Sequence, residues 1–144
     1  MPEKETLERA RRDKREGKAP STQAGEFVRE EIEHVREGKH GARSTKQAIA
    51  IGLSKARRAG VELPAPKNAS EEVKEQAKRD TRKAHSGKKK SAKRSRATSK
   101  ALKREGHSAA SKKALSRQAR SVARKRSAAS RSRSAKKAAA TRKK

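Results

Sequence analysis

The residues with the clearest chemical capability in this chain are the lysines and arginines of its second half. Residues 81–144 contain 25 Lys and Arg and a single acidic residue, Glu105, whereas residues 1–80 contain 19 basic and 15 acidic residues. An uncompensated block of this kind repels itself and is stabilised by a polyanion. Nucleic acids release condensed counterions when basic side chains neutralise their phosphates. The sequence therefore predicts a nucleic acid as the binding partner.

The basic residues form short clusters separated by Ser and Ala. This spacing lets many cations reach successive phosphates, but it fixes no side chain against a base edge. It favours duplex DNA, bound without sequence specificity, and leaves RNA as the alternative. The predicted DNA contacts are Lys88, Lys89, Lys90, Lys93, Arg94, Arg96, Lys100, Lys103, Arg104, Lys112, Lys113, Arg117, Arg120, Arg124, Lys125, Arg126, Arg131, Arg133, Lys136 and Lys137.

A helix-turn-helix is a second route to DNA. Two helices joined by a glycine-containing connector would place basic side chains on or near a recognition helix. The connector, Gly38–Arg43, is longer than the usual turn, so a simple hairpin with a basic edge is favoured. The secondary DNA contacts predicted on this basis are Arg43, Lys46, Lys55, Arg57 and Arg58.

Other chemistries find little support in the sequence. There is no cysteine, and the four histidines form no HxxxH or HExxH spacing, so neither a metal site nor a cofactor is predicted. No Ser, His and Asp set has a scaffold to hold it, so the chain is predicted not to be an enzyme. Phe27 is the single aromatic residue, which disfavours single-strand binding by base stacking.

The elements that must position these residues are predicted from apolar spacing. Leu, Ile, Val and Phe number 14, and 11 of them lie in residues 1–80, so any core is small and belongs to the first half. An apolar stripe from Ala24 to Val35 has helical spacing, and Ser21 or Thr22 is the expected N-cap. The Ser44–Gln47 capping box opens a second helix, which carries Ile49, Leu53 and Ala56 on one face.

These patterns predict a mainly α fold, in which a small helical hairpin over about residues 21–63 is followed by a marginal third helix. High charge and low hydrophobicity predict a disordered basic C-terminal tail, because burial cannot offset chain entropy there. The predicted organisation is a charged N-terminal segment (1–20), the hairpin (21–66), a marginal helix or linker (67–86) and a disordered Lys/Arg/Ser/Ala tail (87–144).

The stretch Gly38–Gly60 contains the run Lys-Gln-Ala-Ile-Ala-Ile-Gly-Leu-Ser-Lys-Ala-Arg-Arg-Ala-Gly, which begins at Lys46. It resembles a block in small basic bacterial proteins of unknown function, which are often labelled DNA-binding because of their Lys/Arg/Ala tails. The resemblance covers about Glu3–Pro66 and implies a bacterial source. The tail is similar in composition to bacterial histone H1-like proteins, which implies a nucleoid-associated role.

The resulting functional prediction is DNA binding and compaction in a bacterial nucleoid, within the cytoplasm and without a membrane partner. The hairpin over residues 21–63 is predicted to bind a protein or to self-associate, because its core is thin. Two alternatives stay open. One is an RNA- or ribosome-associated basic protein, and the other is an adaptor whose acidic helix, Glu26–Glu37, binds a protein partner.

Overall fold

Seven α-helices and one 3₁₀ turn account for most of residues 2–143, the part of the chain that the computed structural model describes. The 3₁₀ turn, Ser108–Ala110, lies between the fifth and sixth helices. No helix within residues 2–143 has an apolar stretch long enough to cross a membrane. The helices are α1 (Lys4–Arg15), α2 (Pro20–Arg36), α3 (Thr45–Arg58), α4 (Glu71–Ser86), α5 (Ala92–Lys103), α6 (Lys112–Lys125) and α7 (Ala128–Arg142).

The predicted fold class, a small hairpin with a disordered basic tail, is wrong. Residues 87–143 form α5, the 3₁₀ turn, α6 and α7. Each of these α-helices begins after a serine whose hydroxyl accepts a hydrogen bond from the backbone N–H three residues on, and these caps are Ser91, Ser111 and Ser127. Serine capping and the high helix propensity of alanine stabilise the helices locally. The high charge and low hydrophobicity of this segment predict disorder, which is why the sequence-based expectation misses these helices.

The two helices of the predicted hairpin are α2 and α3, and their starts differ in detail from prediction. Helix α2 begins at Pro20 with Ala19 as N-cap, so neither Ser21 nor Thr22 caps it. Proline suits the first helical position because its missing N–H would have no partner there. Helix α3 begins as predicted after Ser44, whose hydroxyl accepts from the backbone N–H of Gln47 at 3.1 Å.

Helices α2 and α3 approach closely at Gly52. A methyl group at that position would lie 2.6 Å from Val28 Cα, so the two backbones meet with no room for a side chain. The apolar residues on either side of this contact form two clusters. The first joins α1, α2, α3 and the segment after α3 through Ala10, Ala24, Phe27, Ala56 and Val61, with Leu7, Leu53 and Leu63 packed against them.

The second apolar cluster draws on both halves of the chain. Ala109 and Ala110 of the 3₁₀ turn pack against Ile32, Val35, Ala42 and Ala48, and Leu115 of α6 adds to them. Alanines have little apolar area, so composition gives no sign that residues beyond 87 contribute to a core. Their burial here is a further reason that the predicted disordered tail is wrong.

Residues 102–110 are also held to α2 and α3 by hydrogen bonds, and we call them the docked segment. Backbone and side-chain donors of the first half bind carbonyl oxygens of the docked segment, which satisfies polar groups that this packing removes from water. The four bonds run from Gly41 N to Leu102 O (2.8 Å), Ala42 N to Gly106 O (3.0 Å), Thr45 Oγ1 to Ala109 O (2.7 Å) and Arg36 Nε to Ala110 O (2.8 Å).

The third predicted helix, α4, is firmly attached to α3 and is therefore not marginal. Asp80 is completely buried and accepts hydrogen bonds from Ser54 Oγ (2.7 Å), Arg58 Nε (3.0 Å) and Gln76 Nε2 (3.1 Å). A buried carboxylate with several charged and neutral donors fixes the position of its helix. Of the apolar residues of α4, Val73 is 49% exposed and Ala77 is buried, so the polar contacts of Asp80 add to a small apolar contact.

The close contact at Gly52 leads to a stability prediction. Gly52→Ala forces α2 and α3 apart, and we expect it to lower the free energy of unfolding by roughly 1–3 kcal/mol. Gly25→Ala is the matched control, because Gly25 lies within α2 and an added methyl group there meets nothing within 4 Å. It should raise stability by up to about 1 kcal/mol. Urea unfolding followed by circular dichroism measures the free energy of unfolding of both variants. Equal changes in the two variants would contradict a close helix contact at Gly52.

A second glycine, Gly41, lets the docked segment approach the backbone closely. A methyl group at Gly41 would collide with the carbonyl oxygen of Glu105, whereas one at Gly106 would meet nothing within 4 Å. We therefore expect Gly41→Ala to release the docked segment and to speed trypsin cleavage after Arg104 at least tenfold. Gly106→Ala, the control in the same contact, should leave the cleavage rate within twofold of the parent. Unchanged protection in Gly41→Ala would show that the docking does not depend on this close approach.

Candidate nucleic-acid interface

Helix α6 carries its apolar and its basic residues on opposite faces. Ala114, Leu115, Gln118 and Ser121 are partly buried, and Leu115 reaches the second apolar cluster. The cations Lys113, Arg117, Arg120 and Arg124 fall at helical spacing on the other side, and all four are exposed. We call these four residues the α6 cation stripe. At 1.5 Å per residue the stripe is about 16 Å long.

Helices α5 and α7 expose their predicted DNA contacts as well. Within Ala92–Lys103 only Leu102 is partly covered, and within Ala128–Arg142 only Ser130 is. Lys88, Lys89 and Lys90, in the segment before α5, are exposed too. The predicted list omits two exposed cations, Arg142 and Lys143, although the same compositional signal would have included them.

The cations of the second half have almost no internal partners. Within residues 2–143, no Lys or Arg beyond Ser86 lies within ion-pair distance of a carboxylate. Glu105, the single acid there, lies 3.8 Å from Arg43 Nε of the first half. The charge of α5, α6 and α7 is therefore neutralised by solvent ions or by an external polyanion.

The secondary predicted contacts divide into two groups. Arg57 is buried and its Nε donates to Leu63 O at 2.7 Å, Arg58 binds Asp80, and Lys55 Nζ binds Glu31 Oε1. These three cations hold the fold together. Arg43 and Lys46 are exposed.

The structure encloses α3, the candidate recognition helix. It packs against α2, α4, the 3₁₀ turn and α6. A recognition helix needs a free face to enter a groove, so this packing does not favour the helix-turn-helix interpretation.

Lys90 lies in a concentration of positive charge. Partial desolvation, followed by repulsion from Arg58, Lys55 and Lys83, lowers the pKa of Lys90 below its usual value, and Asp80 offsets only part of this. The charged form of this exposed lysine is therefore less favourable in the folded protein than in the unfolded chain. The sequence analysis does not distinguish Lys90 from Lys88 and Lys89, because the neighbours that single it out lie on α3 and α4.

The acidic side chains of α2 face inward more than predicted. Glu30 and Glu31 are buried, although the helical pattern suggests a solvated acidic face. Glu30 Oε1 accepts from the backbone N–H of Glu3 at 2.8 Å, and Glu26 Oε2 accepts from Arg9 Nε at 2.8 Å. Much of this surface is therefore used to bind α1 and α3.

Phe27 is buried in the first apolar cluster, with 1% of its surface exposed. The described residues thus offer no exposed aromatic ring on which a base could stack.

Comparison with known proteins finds a family model that matches part of the chain. Residues 22–68, about a third of the chain, match DUF6496, a family of unknown function. Neither the curated proteins nor the solved structures include a significant match to this chain. The matched family has no assigned activity, so the resemblance to proteins labelled DNA-binding stays a prediction.

The environment of Lys90 leads to a prediction about charge and stability. Lys90→Ala removes a cation from a repulsive cluster, so it should raise the melting temperature at pH 7 and low salt. The gain should shrink at about 1 M salt, where the Debye length is near 3 Å. It should also shrink as the pH rises through the lowered pKa of Lys90, because the parent then loses the unfavourable charge. Lys89→Ala is the adjacent control, and an equal gain from it would contradict the prediction.

Proposed function

We propose that this protein binds duplex DNA without sequence specificity and compacts it, using the exposed basic faces of α5, α6 and α7. The observation that carries the proposal is a set of exposed cations on three helices that have no carboxylate partner within the described residues. Phosphates supply the missing negative charge, and counterion release supplies the free energy.

The basic residues reach DNA from preformed helices. B-DNA carries one phosphate charge per about 1.7 Å of axis, so the α6 cation stripe, at its length, passes several phosphates. Because Leu115 anchors the opposite face of α6 to the core, the stripe is presented outward before any DNA arrives. Binding then needs less chain ordering than it would for a disordered tail.

Nothing in this surface favours base reading. The exposed cations are long, flexible side chains interspersed with Ser and Ala, and α3 is enclosed by neighbouring elements. Phosphate contacts position a protein on DNA without selecting a sequence. A bacterial nucleoid, where abundant DNA must be neutralised and condensed, is the setting that suits such a protein.

Structured RNA presents the same phosphate charge and is the second candidate ligand. Its deep, narrow major groove and its 2′-hydroxyls make shape the basis of discrimination. The adaptor alternative gains no support from α2, because Glu26, Glu30 and Glu31 bind partners within the chain. Competition between duplex DNA and structured RNA of equal length separates the two nucleic-acid candidates.

The proposal predicts a steep salt dependence of DNA affinity. If roughly 8–10 cations contact phosphates, log K plotted against log[salt] should fall with a slope of about −7 to −9. Replacing Arg117, Arg120 and Arg124 by Gln removes three cations of the α6 cation stripe. This variant should make the slope shallower by about 2–3, because each lost phosphate contact contributes about 0.9. Fluorescence anisotropy with a labelled duplex measures both slopes.

The matched control changes the same charge on another surface. Arg11, Arg12 and Arg15 are exposed on α1, and replacing them by Gln should change the slope by less than about 1. Equal losses from the two triple variants would show that net charge, and not the second half of the chain, sets affinity. A slope shallower than about −3 for the parent protein would contradict the proposal. If structured RNA competes better than duplex DNA, RNA becomes the proposed ligand.

A further inference from the structure

Three side chains that commonly bind metals converge where α2 meets the connector to α3. One candidate ligand atom from each of Glu31, His34 and His40 lies within 4.8 Å of the others. His40 Nε2 is 3.1 Å from Glu31 Oε2, and His34 Nδ1 is 4.0 Å from Glu31 Oε1. Both imidazole side chains are 14% exposed, and the Glu31 side chain is 1% exposed.

Hydrogen bonds fix which nitrogen of each imidazole carries a proton. His40 Nδ1 lies 2.8 Å from Gly41 O, and a carbonyl oxygen only accepts, so Nδ1 is the donor. His34 Nε2 lies 3.1 Å from Glu3 Oε1, which is likewise an acceptor. The hydrogen bond from His34, followed by that from Lys39, lowers the pKa of Glu3 and keeps it ionised. In the neutral imidazoles, His34 Nδ1 and His40 Nε2 therefore carry no proton, and each has a lone pair that can bind a metal ion.

The two nitrogens without a proton lie near a carboxylate that is itself incompletely satisfied. Glu31 Oε2 is buried and has no hydrogen-bond partner among residues 2–143. His40 Nε2, although 3.1 Å away, makes no hydrogen bond to it. A buried acceptor without a donor destabilises the folded state. A cation held between the three atoms would remove this cost.

We propose that Glu31, His34 and His40 bind a divalent transition-metal ion of the Zn²⁺ type. Zinc binds imidazole nitrogen at about 2.0–2.1 Å and carboxylate oxygen at about 2.0–2.2 Å, so tetrahedral ligand atoms lie about 3.3 Å apart. The 3.1 Å separation of His40 Nε2 from Glu31 Oε2 is close to that value. His34 Nδ1 lies 4.0 Å from the other oxygen, Oε1, so the His34 ring has to move toward Oε2 to complete the set. The fourth position is left to water.

The surroundings of the three ligands resemble the outer shell of a zinc site. Ligating histidines usually donate their second N–H to a backbone carbonyl or a carboxylate, as His40 does to Gly41 and His34 does to Glu3. Lys55 Nζ binds Glu31 Oε1 and leaves Oε2 for the metal. The positive charge of Lys55 lowers metal affinity and favours a site that exchanges its ion.

The sequence analysis predicts no metal site, because His34 and His40 lie outside the usual motif spacings. The fold brings them together by turning the chain after α2. His40 directly precedes Gly41 and Ala42, which bind the docked segment. Metal binding would therefore stabilise the connector that holds the second half of the chain, since a ligand that binds only the folded state raises its stability.

Cobalt provides the direct test. The full-length chain, stripped with a chelator, is titrated with Co²⁺ at pH 7.5 and then with Zn²⁺, in the absence of DNA. We expect one equivalent of Co²⁺ to give the visible d–d absorption of a tetrahedral site, Zn²⁺ to displace it, and Zn²⁺ to raise the melting temperature. The absorption should weaken as the pH is lowered, because protons compete with the metal ion for its ligands.

Variants assign the ion to these residues. His34→Ala and His40→Ala should each weaken Co²⁺ binding at least tenfold, whereas His85→Ala and His107→Ala, which change exposed histidines outside the cluster, should leave it within twofold. Glu3→Gln changes only the outer shell and should weaken binding a fewfold, which keeps the test valid if a ligand variant folds poorly. Circular dichroism of each metal-free variant confirms folding.

Two results would overturn the site. One is the absence of a one-to-one Co²⁺ complex in the parent chain. The other is equal binding in the folded His34→Ala and His40→Ala variants, which would place the ion on surface carboxylates or histidines. The DNA measurements above are independent of either result, because the α6 cation stripe shares no residue with this cluster.

Discussion

The close contact between α2 and α3 at Gly52 is the interaction on which the rest of the structure depends. Helix α1 packs on α2, α4 packs on α3, and the docked segment binds both. A chain with so few large apolar residues cannot fill a wide gap between helices. It brings the backbones together instead, so that alanines such as Ala24, Ala48 and Ala56 become completely buried. Dispersion contacts at short range then replace the bulk of larger side chains.

Buried carboxylates complete this thin core and explain why the two halves of the chain use their cations differently. Asp80 binds Arg58, Glu31 binds Lys55, and Asp13 binds Lys18 at 2.9 Å. Removing one partner of such a pair leaves a buried charge and is strongly destabilising. Many acids of the first half thus bind its bases, whereas the second half has one acid and leaves its bases exposed.

The sequence predicts those parts of the fold that depend on local periodicity. The apolar stripe and the Ser44 cap locate α2 and α3, because spacing and capping act within one element. The docked segment cannot be predicted this way, since Ala109 and Ala110 become core residues only where Gly41 admits Glu105 O. Basic composition likewise indicates the exposed cations of α6, but not that Lys55 and Arg58 bind internal partners, because Glu31 and Asp80 lie more than 20 residues away in sequence.

The core and the candidate DNA surface are linked through α6. Like charges at i,i+3 and i,i+4 along the cation stripe oppose helix formation by about 0.2–0.5 kcal/mol per pair. Packing of Leu115 against the second apolar cluster and the cap from Ser111 offset this repulsion. The helix is therefore held in its binding conformation by contacts on one face and strained by charge on the other. Under the proposed function, bound phosphates would relieve that strain, and the repulsion that weakens the free protein would become part of the free energy that favours the complex.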